Sequence, residues 1–257
     1  MVKVSGLSSG YSGKDVLSGI DLTLSPGELT ILVGPNGCGK STLLKTLCGL
    51  LPAKSGEILL NGEHIAAYSS RQLAQQVSYL AQSRPVSDIS VEHMVLHGRF
   101  PYLSYPRRYR QQDLEIARRA MDQLGISEFA AMPLSTLSGG TRQKVYIAMA
   151  LAQDTPIVLL DEPTTYLDIA HQLQMMEHAR FLCRQGKTVV MVLHDISMAL
   201  QTADRLIVMD DGHILQQGKL EDVFASGCLD AVFGVHIGRV PITNGWHYYY
   251  DTQGGMR

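Results

Sequence analysis

The chain has 257 residues, of which 45% are hydrophobic and 18% charged, and its formal net charge at pH 7 is −2. These proportions are typical of globular proteins, and they exclude collagen-like, low-complexity and wholly disordered chains. The small negative charge also argues against a protein that holds nucleic acid mainly through its phosphates, so we expect no nucleic-acid partner.

The composition also bears on the cellular compartment. No apolar run approaches the roughly 20 residues that a membrane-spanning helix requires, and the first residues lack the apolar stretch of a signal peptide. The four cysteines are scattered without the spacing of metal ligands, which favours a reducing compartment. We therefore expect a soluble intracellular protein.

The first third of the chain predicts mainly strands. We expect them at residues 1–4, 17–24, 28–33 and 56–65. Asn61 and Gly62 interrupt the last of these and predict a tight hairpin, because this pair accepts the positive φ angles that such turns require. A helix is expected from Lys40 to Gly49, where a Leu-Leu-Pro run follows.

A phosphate-binding pattern lies between the strand at 28–33 and this helix. Residues 34–41 are Gly-Pro-Asn-Gly-Cys-Gly-Lys-Ser, which matches G-x-x-x-x-G-K-[ST] in the required strand–loop–helix context. Glycines there let backbone N–H groups point at a phosphate, and the helix N-terminus adds positive partial charge. We expect Lys40 to contact the β- and γ-phosphates and Ser41 to bind Mg²⁺. The predicted nucleotide-binding residues of the loop are Gly34, Pro35, Asn36, Gly37, Cys38, Gly39, Lys40, Ser41 and Thr42.

Cys38 lies inside this loop at one of the variable positions of the pattern. A bulky adduct on its thiol would obstruct the phosphate site. The sequence therefore predicts that thiol-alkylating reagents inactivate the protein.

From about residue 84 to residue 154 the apolar residues change to helical spacing. Val91, Val95 and Leu96 would form one apolar face and residues 114, 117, 121 and 124 a second, with a helix end at Gly125. We interpret this segment as a helical subdomain inserted into a β/α chain. The arginines between the two helices, at positions 99, 107, 108 and 110, favour solvated surface over a nucleic-acid site.

Near-continuous apolar strands return in the second half, at residues 157–160 and 188–193, with a helix expected at 169–184. Strands that are apolar on both faces and alternate with helices indicate a parallel sheet covered on both sides. Asn244 and Gly245 predict a last hairpin, within a C-terminal hairpin and tail at about 238–257. The predicted fold class is α/β, with a single domain over the whole chain.

Two carboxylates follow the first of these strands. Asp161 and Glu162 come directly after Ile157–Leu160, which places them at the carboxyl edge of a parallel sheet, where α/β proteins bind ligands. We expect Asp161 to hold Mg²⁺ through water and Glu162 to polarise an attacking water.

A second anion site is predicted upstream of these carboxylates. Residues 137–143 are Leu-Ser-Gly-Gly-Thr-Arg-Gln and precede an apolar helix. Ser138 and two glycines at a helix start form a nest of backbone N–H groups. One phosphate loop and one separate nest suggest that two copies of the chain enclose the nucleotide between them.

Taken together, these motifs resemble those of the ATP-binding subunits of ABC transporters over nearly the whole chain. The resemblance implies a P-loop NTPase core with a mainly parallel sheet, an N-terminal antiparallel β subdomain and the inserted helical subdomain. The family's signature L-S-G-G-Q is matched with Thr141 in place of the usual glutamine or glutamate, and Tyr166 stands where a small residue is common.

The resemblance assigns further roles. It implies that Tyr11 stacks on adenine, that Gln82 joins the core to the helical subdomain and that His194 contacts the γ-phosphate. The implied catalytic residues are Glu162, His194, Lys40 and Gln82, and the implied Mg²⁺ ligands are Ser41, Gln82 and Asp161. The implied contacts from the second copy are Ser138, Gly139, Gly140 and Gln143, together with Asp168 in the loop at the dimer contact.

The same resemblance implies ATP and Mg²⁺ as cofactors and a homodimer of ATPase subunits with two membrane permease subunits. An extracytoplasmic substrate-binding protein would act only indirectly, and the chain would lie at the cytoplasmic face of the membrane. His97–Tyr102 and Leu167–Gln172 resemble the iron-siderophore branch of importers, so we expect ferric siderophore as cargo. Haem or cobalamin import, and export, remain alternatives.

Non-transport ABC ATPases are disfavoured. DNA-repair members separate their motifs by a long coiled coil, and the interval from Ser41 to Leu137 is too short for one. Translation-associated members usually carry two cassettes, whereas this sequence has one phosphate loop.

Overall fold

The structure is a computed structural model that describes residues 1–82, 88–165, 167–243 and 245–252. Within those ranges no helix combines the length and the apolar character needed to cross a membrane. Tyr166, the predicted turn residue Asn244 and Arg84, at the predicted start of the helical subdomain, lie outside the described residues.

The elements alternate between strands and helices along most of the chain. The strands are β1 (Val2–Tyr11), β2 (Lys14–Leu24), β3 (Leu29–Val33), β4 (Ala53–Leu60), β5 (Glu63–His64), β6 (Val77–Leu80), β7 (Ile157–Asp161), β8 (Thr188–Val192), β9 (Arg205–Asp210), β10 (His213–Lys219), β11 (Val235–Ile242) and β12 (Gly245–Thr252). The α-helices are α1 (Lys40–Leu47), α2 (Ser70–Gln76), α3 (Val91–His97), α4 (Gln111–Gln123), α5 (Gly139–Ala152), α6 (Ile169–Arg184), α7 (Ile196–Thr202), α8 (Leu220–Ala225) and α9 (Cys228–Phe233).

A six-stranded sheet with the order β10-β9-β3-β8-β7-β6 forms the centre of the molecule. The neighbouring strands β6, β7, β8, β3 and β9 pair in parallel, and β10 joins β9 antiparallel. Every residue of β3, β7 and β8 is buried, as their continuous apolar sequences predicted. The α/β fold with a mainly parallel sheet is therefore confirmed.

An antiparallel sheet with the order β2-β1-β4-β5 lies at the N-terminal side. The predicted Asn-Gly hairpin is present between β4 and β5, with φ angles of 53° at Asn61 and 89° at Gly62. The first strand is longer than predicted, because pairing with β2 continues past Val4 to Tyr11 across irregularities in register. Gly6, at a φ of 58°, lies in the first irregularity, where the alternation of apolar residues is broken.

The segment between β6 and β7 is helical, as predicted, and contains α3, α4 and α5. Val91 and Val95 on α3 and Met121 on α4 are buried, and Gly125 follows the end of α4 with a φ of 62°. The predicted subdomain boundaries at about 84 and 154 stay a prediction.

Arg99 corrects the expectation of a solvated basic surface. Its side chain is only 7% exposed, and its Nε lies 3.1 Å from Oδ1 of Asp113 on α4. Its guanidinium also donates to the carbonyl oxygen of Ala152 at 2.8 Å and lies 3.9 Å from the centre of the Tyr102 ring. A buried guanidinium requires such partners, and the sequence spacing did not show that they converge.

In the second half, α6 has the predicted bounds Ile169–Arg184. The C-terminal hairpin is also present, since β11 pairs antiparallel with β12 from Val235 to Ile242. It packs on the core through Tyr248, whose ring contacts Phe224 edge-on at 5.5 Å between centroids, and through a hydrogen bond between Tyr250 and Ser197.

The central sheet separates two apolar clusters, because successive strand residues point to opposite faces. Leu32 and Val190 belong to the cluster that also contains residues of α1 and the antiparallel sheet. Ile31 and Val189 belong to the other cluster. That second cluster joins α3, α4 and α5 with α6, and its members include Val95, Met121, Tyr146, Met175 and Leu182.

Candidate functional site

The candidate site lies where four neighbouring strands of the central sheet end. The phosphate loop follows β3, Gln82 follows β6, Glu162 follows β7 and His194 follows β8. Because these strands are parallel neighbours, their carboxyl ends meet at one edge of the sheet. A cavity of about 360 Å³ lies there, lined by Asn36, Gly37, Gly39, Lys40, Ser41, Thr42, Gln82, Glu162 and His194.

The phosphate loop has the backbone geometry that its glycines permit. Gly34 has a φ of 152°, and a Cβ at that position would lie 2.1 Å from the carbonyl oxygen of Met209, so only glycine fits. Gly37 and Gly39 also have positive φ, at 82° and 107°. The Nζ of Lys40 donates to the carbonyl oxygens of Gly34 and Pro35 at 2.7 and 2.8 Å, which holds the cation inside the loop.

Asp161 lies beneath the loop and accepts a hydrogen bond on each of its oxygens. The hydroxyl of Ser41 donates to Oδ1 at 3.0 Å, and the hydroxyl of Tyr79 donates to Oδ2 at 3.0 Å. Burial raises the pKa of Asp161, and these two hydrogen bonds oppose that shift. The pKa of Tyr79 is raised by burial and by the charge of Asp161, so the phenol stays protonated at neutral pH.

This donor set fits Mg²⁺. Within the described ranges no cluster of three or more His, Cys, Asp or Glu side chains could hold a metal ion by itself, so Mg²⁺ would need other oxygen ligands as well. Mg²⁺ is commonly bound by one or two carboxylates together with the phosphates of its substrate, and it prefers oxygen ligands. Ser41 and Asp161 bring a hydroxyl and a carboxylate oxygen within 3.0 Å of each other beside the phosphate loop, and Gln82, whose amide carries a third oxygen, lines the cavity together with Ser41.

Glu162 is the carboxylate that faces the cavity from the end of β7. Its Oε1 lies 2.5 Å from Nε2 of His194, and its Oε2 accepts hydrogen bonds from Nε2 of Gln82 and, at 3.5 Å, from the hydroxyl of Thr165. Glu162 has a φ of 52°, which is a rare backbone conformation for a residue with a side chain and one that clusters at functional sites. The carboxylate is thus held by Gln82 after β6, Thr165 after β7 and His194 after β8.

Tyr11 lies beside α1 rather than in the lining of the cavity. The residue is 45% exposed, and Nζ of Lys45 lies 6.0 Å from the centre of its ring. Lys45 is about one helical turn beyond Ser41. The exposed ring therefore offers a stacking surface close to the phosphate loop.

The signature residues lie outside the cavity of their own chain. Ser138 is exposed and caps α5, with its Oγ accepting from the backbone N–H of Thr141 at 3.2 Å. A Cβ on Gly139 would meet no atom within 4 Å, and one on Gly140 would meet only Leu167 Cδ2, at 3.9 Å. This nest is therefore accessible from outside the chain.

Gln143 and Asp168 make contacts within the chain. The side-chain amide of Gln143 donates to the carbonyl oxygen of Pro163 at 2.8 Å, which links α5 to the segment after Glu162. Asp168 caps α6 by accepting from the N–H of His171 at 2.9 Å, and this hydrogen bond lowers the pKa of Asp168. Their predicted contacts with a second copy stay a prediction.

Cys38 corrects the expectation of a reactive thiol. Its side chain is 4% exposed and belongs to an apolar cluster, and burial raises the pKa of its thiol. The sequence pattern of the loop does not specify which way this side chain points. In the structure it packs into the apolar core.

We therefore expect Cys38 to resist alkylation. N-ethylmaleimide reacts with the thiolate, whose fraction at neutral pH falls about ten-fold for each unit of pKa increase. Peptide mass spectrometry of native protein after a short exposure should show little Cys38 adduct, and protein unfolded in urea should show full labelling. Equal labelling rates in the two samples would contradict the buried thiol.

Comparison with known proteins identifies close relatives. A match to the ABC transporter family covers residues 17–165. The chain is 40% identical over 231 residues to the ferric enterobactin transport ATP-binding protein FepC of Escherichia coli (strain K12), covering 89% of this chain and 85% of that protein. It is 39% identical over 237 residues to the achromobactin transport ATP-binding protein CbrD of Dickeya dadantii (strain 3937), covering 91% of this chain and 88% of that protein.

A solved structure is also similar over most of the chain. It is a dimeric, post-hydrolysis state of an ATP-binding cassette bound to ADP and Pi. The TM-score is 0.75 with 27% sequence identity, and the match covers 86% of this chain and 99% of the other.

Proposed function

Because the chain belongs to the ABC transporter family, we propose that it is the ATP-hydrolysing subunit that powers import of ferric siderophores through separate membrane permease subunits. The observation that carries the proposal is the convergence of Lys40, Ser41, Asp161, Glu162 and His194 at one edge of the central sheet. A phosphate loop and a fixed carboxylate in one cavity, with the Ser41–Asp161 oxygen pair at its edge, suit the hydrolysis of a nucleoside triphosphate.

In this reaction the site residues would bind the phosphates, hold the metal and activate the attacking water. The loop N–H groups and Lys40 would bind the β- and γ-phosphates, and the Ser41 and Asp161 oxygens would hold Mg²⁺, which would neutralise phosphate charge there. Glu162 accepts a proton from the attacking water, and its hydrogen bonds to Gln82 and His194 keep its carboxylate in place. His194, 46% exposed on its side chain, is accessible to the γ-phosphate.

We also propose that a second copy completes the site. The nest at Ser138–Gly140 is not among the residues that line the cavity of its own chain, and a helix N-terminus of this kind binds anions. A similar cassette is dimeric with ADP and Pi bound. Two chains arranged head to tail would place each nest, with Asp168 nearby, against the γ-phosphate held by the other chain.

A groove on this chain is a candidate docking site for the permease subunits, at the cytoplasmic face of the membrane. A groove of about 730 Å³ lies between α2 and the turn at Phe100–Tyr102, and its lining comprises Ser70, Arg71, Ala74, Phe100, Pro101, Leu103, Tyr105, Pro106 and Arg107. Tyr105 is 97% exposed, and Arg71 is fixed by donating to the carbonyl oxygen of Pro101 at 2.9 Å. An apolar groove with cationic edges suits a short permease helix. A substrate-binding protein would then act on this chain only through the permease.

Uptake of ⁵⁵Fe supplied as ferric siderophore tests the cargo. In cells that lack this chain and other siderophore importers, we expect the wild-type chain to restore uptake and the Glu162→Gln variant to leave it at background. The variant keeps the size of the side chain but cannot accept a proton from water.

The matched control is Glu177→Gln, which makes the same change at an exposed position on α6 and should restore uptake as the wild type does. If deletion of the chain leaves uptake unchanged, ferric siderophore is not its cargo. The ATPase assignment would stand in that case.

A further inference from the structure

We propose that Tyr79 is a positioning residue that fixes the Asp161 carboxylate for Mg²⁺ binding. The proposal rests on the proposed function, because it concerns the metal that accompanies ATP. Tyr79 is absent from the described residues that line the cavity, so it would act through Asp161 rather than on the nucleotide.

The pairing of two strands places the phenol against Asp161. Tyr79 on β6 is paired in parallel with Leu159 on β7, two residues before Asp161. Its half-buried ring packs against the apolar cluster that contains Leu159. From this position its hydroxyl reaches Oδ2 of Asp161 at 3.0 Å.

The two oxygens of Asp161 are thereby assigned to different partners. Ser41 donates to Oδ1, and Tyr79 donates to Oδ2. With Oδ2 tied to the side of β6, the carboxylate cannot rotate freely, and Oδ1 stays directed at Ser41 and the phosphate loop. A carboxylate that is 1% exposed also has little access to water that could replace the phenol.

This arrangement predicts an effect specific to the metal. Hydrogen bonds that orient metal ligands commonly change metal affinity by about 10- to 100-fold when they are removed. ATP without Mg²⁺ would still bind through the loop and Lys40, whose ammonium donates to the carbonyl oxygens of Gly34 and Pro35.

The test is a Mg²⁺ titration of the full chain carrying Tyr79→Phe, which removes only the hydroxyl. Binding of a fluorescent ATP analogue is measured as Mg²⁺ is raised, and separately in EDTA. We expect the Mg²⁺ concentration at half-saturation to increase about ten-fold, with binding in EDTA close to that of the wild type. The melting temperature should fall by only a few degrees, because one buried hydrogen bond to Asp161 is lost. Saturating Mg²⁺ should restore hydrolysis.

Tyr102→Phe is the matched control, because it removes a tyrosine hydroxyl that donates to the carbonyl oxygen of Gln153 at 2.9 Å, away from the cavity. It should leave the Mg²⁺ dependence unchanged. The proposal is overturned if Tyr79→Phe leaves the Mg²⁺ half-saturation unchanged, if both variants shift it equally, or if binding in EDTA weakens as much as binding in Mg²⁺. A wild-type chain that binds no ATP would instead contradict the proposed function.

Discussion

Replacing Glu162 with glutamine should lower the rate of ATP hydrolysis by about 10²- to 10⁴-fold, because general-base catalysis contributes a factor of this size. The amide cannot take a proton from water, although it can still hydrogen-bond to Gln82 and His194. ATP affinity should stay close to that of the wild type, because the loop and Lys40 are unchanged. Phosphate release and equilibrium nucleotide binding measure the two quantities separately.

The Glu177→Gln control should retain the wild-type rate, since that carboxylate is exposed on α6. Hydrolysis by Glu162→Gln within a few-fold of the wild-type rate would show that another group activates the water. Loss of ATP binding together with hydrolysis would show instead that Glu162 is needed to build the site.

The second large effect concerns the proposed dimer. In a Glu162→Gln background, we expect ATP to produce a dimer and the further change Gly140→Asp to abolish it. A Cβ at Gly140 meets only Leu167 Cδ2, at 3.9 Å, so the fold should tolerate the side chain. A carboxylate in the nest would face the γ-phosphate of the other chain, and such like-charge contacts weaken association by several kcal/mol. Light scattering during size exclusion measures the dimer fraction.

Gln112→Asp adds the same charge at an exposed position in the first turn of α4 and should leave the dimer intact. Circular dichroism should show equal melting temperatures for Gly140→Asp and its parent. Undiminished ATP-dependent dimerisation of Gly140→Asp would remove the nest from the interface.

The elements that the sequence predicted well are those encoded by contiguous residues. The phosphate loop, the Asn-Gly hairpin and α6 each depend on neighbours in the chain, and each lies where it was expected. An Asp-Gly pair at 211–212, with φ angles of 40° and 78°, forms the turn between β9 and β10. Asp-Gly is a hairpin pattern like Asn-Gly, so this turn was also predictable from neighbouring residues.

Contacts between segments that are distant in the sequence could not be predicted from patterns of neighbouring residues. The roles of Gln82 and His194 were implied by resemblance, but their shared hydrogen bonding to Glu162 depends on β6, β7 and β8 being adjacent. The contact of Tyr79 with Asp161 depends on the same strand order. Arg99 likewise finds Asp113 only because α3 and α4 pack together.

The apolar cluster that α3, α4 and α5 share with α6 and β8 limits how this protein can be recombined with its relatives. A chimera that took only the helical segment from a homologue at about 40% identity would join mismatched side chains to Met175 and Val189. Each overpacked or underfilled contact costs about 1–3 kcal/mol, against a total stability of roughly 5–15 kcal/mol. An exchange of the helical segment should therefore be tolerated better when α6 and β8 are exchanged with it.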